Sequence, residues 1–263
     1  MSINPLFFMY SKLLRNLRFR KSSPVYLPQV EKILGYRFIH PELLVQALTH
    51  QSYLAGSDNT ACCSNERLEF LGDAVLELII TQYLYNKYPE TREGDLSKSK
   101  SILVSRRVLA RIVSALGLGQ FLLMNRGEEQ TGGRTRASNL ANLYESVLGA
   151  IYLDGGLRPA RRFIETTMLD IYDRIISDER NINYKSVLLE YAQGHKIGAP
   201  HYRLIEDRGP DHEKTFTVEV SLGSGQTASG SGRSKKLAEQ EAAQELIRKI
   251  APQLLENNVA DSR

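Results

Sequence analysis

The sequence predicts an all-α domain followed by a small α+β module of order α-β-β-β-α, and three observations carry that prediction. Two long stretches, Asn65–Ile80 and Ala137–Asp154, are apolar around most of a helical circumference and interrupted only by a thin polar line. The spacing of apolar residues stays helical from residue 28 to residue 176. Beyond a short charged segment it turns to alternation, and the chain closes on an Ala-rich helix.

Each segment has its own physical justification. Met1 to Pro28 carries Lys12, Arg15, Arg18, Arg20 and Lys21 among Leu6, Phe7, Phe8, Leu13, Leu14, Leu17 and Phe19, with no acidic residue. Its charges mostly follow the apolar core, unlike a secretory signal. It reads as a basic N-terminal extension over residues 1–27, with a basic amphipathic helix touching RNA or an anionic surface as the alternative. Residues 28 to 54 are helical, with Val30, Ile33 and Leu34, then Leu43, Leu44, Ala47 and Leu48, separated by Gly35 and a turn at His40-Pro41. His50, in the LTHQSY segment, reads as a hydrogen-bonded packing residue, and residues 55 to 64 as a loop.

Asn65 is placed to cap the helix NERLEFLGDAVLELII. Within it Glu66, Glu69 and Asp73 fall three and four residues apart, so they share one face. Carboxylates on so apolar a helix must be paired or bind a metal. Gly94 to Leu116, with Lys98, Lys100, Arg106, Arg107 and Arg111, gives one or two helices and a charged face. Glu128 to Arg136 is a glycine-containing loop. The helix ASNLANLYESVLGAIYLD then carries Ser138, Asn142, Glu145 and Gly149 as its polar line, and Gly155-Gly156 ends it. Pro159 to Ile176 is read as one final helix. If the two polar lines face each other across Gly72 and Gly149, they form an all-oxygen, strongly negative cluster suited to Mg²⁺, with Mn²⁺ able to substitute, rather than zinc.

Residues 177–183 form a linker. In 184–252, Tyr184 to Gln193 is helical, His201 to Glu206 and Thr215 to Val220 are strands joined by a Gly209-Pro210-Asp211-His212 turn, and Ser221 to Gly232 supplies a hairpin turn and a third strand. Ser234 can cap the last helix. Lys235 and Lys236 occupy its first turn, where the helix dipole disfavours cations, so a bound phosphate is expected there. Residues 253–263 are a tail.

Composition narrows the class. The chain has 263 residues and a formal net charge of +4, with an isoelectric point of about 9.0, compatible with a nucleic-acid partner. Cys62 and Cys63, the only cysteines, are adjacent and offer neither a loop-closing disulfide nor zinc spacing. No apolar run approaches a membrane span, and cytoplasmic residence is the expectation.

Asn65–Ile80 resembles the signature of the ribonuclease III family, which cleaves double-stranded RNA, and Ala137–Asp154 is similar to that family's other metal-binding helix. The likeness extends over nearly everything after residue 28 and includes the α-β-β-β-α order of the double-stranded RNA-binding domain. It implies an all-α endonuclease domain over residues 28–176 and an RNA-binding domain over 184–252. It implies Mg²⁺ held by Glu69, Asp73, Asn142 and Glu145, with Asp73 and Glu145 catalytic and Glu66 on the supporting acidic face. Two ions roughly 4 Å apart would activate water and stabilise the leaving 3'-oxygen. Cleavage leaving 5'-phosphate and 3'-hydroxyl ends, on ribosomal and other structured RNA precursors, follows from the same resemblance. So does a homodimer with Phe70 at its contact, with no small-molecule cofactor. Ser186, Gln193, His212, Lys235 and Lys236 are the residues expected to meet the duplex, and Leu189 stands where the family often has glutamine. One departure is Asn142, where most members carry aspartate; an amide oxygen adds no charge, which leaves room for an alternative, a dimeric double-stranded RNA binder with weakened catalysis.

Overall fold

The structure, a computed structural model, describes residues 27–55, 64–176, 178, 182–210, 214–223 and 225–255. The N-terminal extension up to Tyr26, the loop holding Cys62 and Cys63, and His212 lie outside the described residues. The chain divides between Ile175 and Ile176 into two compact units.

The first unit is all helical among its described residues. Helix α1 spans Leu27–Leu34 and α2 Pro41–Ala47, with Pro41 at the first helical position, where the missing N–H costs nothing. A 3₁₀ turn, Gln51–Leu54, follows. Helix α3 is Glu66–Lys87, α4 Glu93–Leu103, α5 Arg106–Ala115, α6 Arg126–Gln130, α7 Ala137–Gly155, α8 Leu157–Thr167 and α9 Tyr172–Ile176. The Gly94–Leu116 stretch is thus two helices, divided at Val104-Ser105, with Ser105 Oγ accepting from the Val108 N–H at 3.3 Å.

Helices α3 and α7 form the most extensive helix pair, and glycine explains how closely they approach. A Cβ at Gly72 would stand 1.7 Å from the Glu145 carbonyl oxygen, and one at Gly149 would stand 2.3 Å from the Leu68 carbonyl oxygen. Backbone therefore lies on backbone at the crossing. Around it Leu68, Leu76, Ile79, Ile80, Leu143, Tyr144, Val147, Leu148 and Ile151 are buried. The buried Ser146 hydroxyl donates to the Ala47 carbonyl at 2.9 Å, tying α7 to α2. At the far end of α7 the Asp154 carboxylate accepts from the Tyr36 hydroxyl at 2.8 Å and from the Ile39 and His40 amides, each at 2.9 Å.

Several expectations are corrected. Asn65 makes no side-chain cap and has helical backbone angles. Its N–H donates instead to the Thr49 carbonyl at 2.8 Å, while the Ser64 hydroxyl reaches the Glu66 carboxylate. Helix α3 is not buried all round: Phe70, Leu78 and Tyr85 are 83%, 56% and 71% exposed, and their spacing puts them on one stripe. Asp73 is exposed rather than deep. Gly156, which ends the helix as the sequence indicates, has φ 81 and ψ −167, a positive φ outside the left-handed helical region that a glycine cap usually takes. The final helix is broken at Met168, with a 3₁₀ turn, Leu169–Ile171, before α9. Met168 itself is fully buried, so packing sets that break where no proline or glycine announces it.

The second unit comprises α10 (Tyr184–Gly194), strands β1 (His201–Arg208), β2 (Thr215–Ser221) and β3 (Thr227–Gly232), and α11 (Lys235–Ile250). The strands form one antiparallel sheet in the order β1-β2-β3. Val220 and Ala228, a cross-strand pair, pack with Leu188, Ala242, Leu246 and Ile247. Gly230 permits the close seating of α11, since a Cβ there would lie 2.1 Å from the Ala242 nitrogen.

Candidate active site

The crossing of α3 and α7 fixes what stands above it. A cavity of about 550 Å³ opens between them, lined by Glu66, Glu69, Phe70 and Asp73 from α3 and by Ala141, Asn142 and Glu145 from α7. His50, Gln51 and Asn65 form one side, Val104 and Arg106 the other. Thus five of the side chains read as metal-binding, catalytic or supporting share one cavity, with Phe70 at its edge.

Backbone pairing holds the His50 side in place. Leu123 donates to the Leu48 carbonyl at 2.8 Å, His50 to the Leu123 carbonyl at 2.9 Å, and Asn65 to the Thr49 carbonyl at 2.8 Å. The His50 ring accepts from the Ser52 N–H through Nδ1 at 3.2 Å. It is hydrogen-bonded, as expected of a packing residue, and also faces the cavity.

The electrostatics set the chemistry. Burial pushes the Glu145 carboxyl up to about 7, reinforced by Asp73 and Glu69 and opposed by Arg106. Glu69 is raised by burial, then by Glu66 and Asp73, again against Arg106. Asp73, largely exposed, is raised by the partial burial it has and then by Glu77, against Lys100, which pairs with Glu77 at 3.5 Å. Burial and like charge thus outweigh the nearby cations at all three carboxyls. Among the described residues no three His, Cys, Asp or Glu side chains form a ready-made metal cage; the acids face a common space rather than one another. All-oxygen donors with room for water and phosphate fit a hard divalent ion such as Mg²⁺, which keeps several waters and takes only a few carboxylates. The fit is to a metal completed by substrate, not a closed structural site.

On the second unit, Ser186 and Gln193 are exposed on α10, and Lys235 and Lys236 are exposed at the start of α11. Ser234 caps α11, its hydroxyl accepting from the Leu237 N–H at 3.3 Å. Leu189, 38% exposed, lies between Ser186 and Gln193 on the same side of α10. Sequence reasoning missed Arg106 as a cavity residue: in a run of cations nothing in the spacing singles it out. Gln51 carried no signal at all.

Residues 40–172 match the family model described as ribonuclease-III-like, and residues 184–250 match the double-stranded RNA binding motif. Ribonuclease 3 of Desulforamulus reducens is 43% identical over 217 residues, 82% of this chain and 88% of that protein. The chain belongs to the ribonuclease III family. Ribonuclease 3 of Geobacter metallireducens is 42% identical, across 85% of this chain and 91% of that protein. Among solved structures, the nuclease domain of ribonuclease III from Campylobacter jejuni is 41% identical, covering 54% of this chain and 97% of that one with a TM-score of 0.49. As a ribonuclease III family member the chain is an endoribonuclease for double-stranded RNA, with a helical nuclease domain followed by a double-stranded RNA-binding domain. Its family is generally dependent on divalent metal. The alternative of a duplex binder with weakened catalysis is not favoured. No helix among the described residues is long and apolar enough to cross a membrane.

Proposed function

We propose that the cavity between α3 and α7 is the cleavage site, with Glu69, Asp73, Asn142 and Glu145 as ligands for Mg²⁺ and Glu66 supporting them. The observation that carries this reading is the convergence on one cavity of carboxylates about seventy residues apart in sequence, with Glu145 pushed up to about 7 by burial and by its acidic neighbours. Bound there, Mg²⁺ would supply a water of lowered pKa and stabilise charge on the leaving oxygen. Asp73 and Glu145 accept hydrogen bonds from the attacking water and aim it at phosphorus. As the water oxygen bonds to phosphorus it gives up a proton to solvent, the P–O3' bond breaks and O3' takes up a proton from solvent, leaving a 5'-phosphate and a 3'-hydroxyl. Asn142 contributes an amide oxygen without charge, so three carboxylates supply the negative field.

The stripe of Phe70, Leu78 and Tyr85 supports a homodimer through α3, because exposed apolar area on this scale is normally covered by a partner. Lys235, Lys236, Ser186, Gln193 and His212 are the duplex contacts in this reading, and Domain limits of 28–176 and 184–252 go with it. Cytoplasmic processing of ribosomal and other structured RNA precursors is the proposed role. The test is a long RNA duplex incubated with Mg²⁺: the wild-type chain should cut it, and Glu145→Ala should bind without cutting. Equal cleavage by both chains would remove Glu145, and with it the proposed site, from the chemistry.

A further inference from the structure

Arg106 is the only lysine or arginine among the described residues lining the acidic cavity. It is the first residue of α5, whose capped start and buried face of Val108, Leu109, Ile112 and Val113 fix where its backbone stands; α5 in turn packs on α7, the helix of Glu145. Helix stability does not account for a cation at this place, since the dipole disfavours positive charge at the first position. Nor does ion pairing: Lys100 is engaged by Glu77 at 3.5 Å, whereas Arg106 joins none of the ion pairs formed among the described residues. The side chain is exposed at the cavity wall, and its charge is felt by both Glu69 and Glu145.

A nucleic-acid strand entering a cavity lined by several carboxylates meets like charge. A guanidinium beside them offers paired donors matched to a phosphate and stays charged at any working pH. We propose that Arg106 is a substrate-binding residue of the nuclease unit, its guanidinium holding a backbone phosphate of the strand being cut beside the carboxylates. This inference rests on the cavity being the cleavage site. It adds a sequence-independent contact in the nuclease unit to those of the RNA-binding domain.

The experiment compares full-length wild type, Arg106→Gln and Arg106→Lys in steady-state cleavage of a duplex. A contact made alike before and during reaction raises KM while leaving kcat unchanged. Arg106→Gln should raise KM roughly tenfold, the size expected for one charged hydrogen-bonding contact, with kcat nearly constant and Arg106→Lys, which keeps the charge but not the paired donors, recovering only part of the loss. Duplex binding is then measured against salt in chains that also carry Glu145→Ala. Removing one phosphate contact should lower the slope of log affinity on log salt by about one. Titration with Mg²⁺ alone completes the set. Unchanged KM and salt slope overturn the proposal. If Mg²⁺ binds more tightly while both stay unchanged, Arg106 is an internal counter-charge to the carboxylates instead. Full cleavage by Glu145→Ala would reject the cleavage site itself, whatever Arg106 does.

Discussion

Replacing Gly72 by alanine adds one methyl group at the point where the two acid-bearing helices touch. Helix propensity alone favours the change by about 1 kcal/mol. The structure opposes it: the new carbon would sit 1.7 Å from the Glu145 carbonyl oxygen and 2.6 Å from its carbon. An ordinary carbon–oxygen contact is about 3.3 Å, so α3 and α7 must part by roughly 1.5 Å. Both atoms it meets belong to helical backbone, which cannot swing aside as a side chain would. Overpacking of this kind costs about 1–3 kcal/mol and occasionally more, which outweighs the propensity gain. Thermal unfolding should fall by about 2–4 °C for each net kcal/mol. Because Glu145 moves with its own carbonyl, displacement by 1 Å or more should reduce kcat/KM about a hundredfold. Gly94→Ala is the matched control: nothing lies within 4 Å of its added carbon, so stability should hold or rise by up to about 1 kcal/mol. Circular-dichroism melts and duplex cleavage measure both variants. A Gly72→Ala chain that melts at or above the wild-type temperature and cuts at the wild-type rate would refute the backbone-contact account.

Asn142→Asp should lower the Mg²⁺ concentration that gives half-maximal cleavage, since a charged ligand replaces a neutral one; an unchanged requirement means Asn142 is not a ligand. Glu145 lies in the fold at about 7, above its ordinary 4.5, so its neutral form is the one the fold favours. With metal chelated, its contribution is fully present below about pH 4.5 and is lost as pH rises through about 7. Melting in chelator should therefore show wild type losing stability across that window and Glu145→Gln losing less; parallel curves would contradict the burial of the Glu145 carboxyl among like charges. Lys235→Ala with Lys236→Ala should weaken duplex binding in low salt and reduce the salt slope by about two. A gel-shift titration giving the wild-type slope would place the lysines off the RNA.

The two acid-bearing helices were legible because spacings of three and four project side chains onto one face whatever the tertiary context. Gly149 was legible as part of the contact for a related reason, since it lies on the same face as Asn142 and Glu145, whereas Gly72 was legible by its small size beside Asp73. The RNA-binding unit could be read from its change of period and from the lysines placed against a helix dipole. Other features depend on tertiary contacts that a linear pattern does not encode. Asn65 looks like a cap, yet its amide is taken by Thr49 across the fold. The stripe of Phe70, Leu78 and Tyr85 counts as apolar in any periodicity and so reads as core, although it faces outward. Arg106 joins the acids only because the turn at Val104-Ser105 directs the start of α5 toward them.

Helix α7 carries two acidic side chains with opposite circumstances. Glu145 stands among like charges; Asp154, nine residues on and so about 13 Å along the axis, receives three donors from the segment between α1 and α2. The middle of the rod is an unsatisfied tool and its C-terminal end a clasp. Losing the clasp would show as heat lability with chemistry intact at low temperature, whereas losing the tool would leave a sturdy but idle protein, so a survey of acidic positions here can separate architecture from reactivity along a single helix.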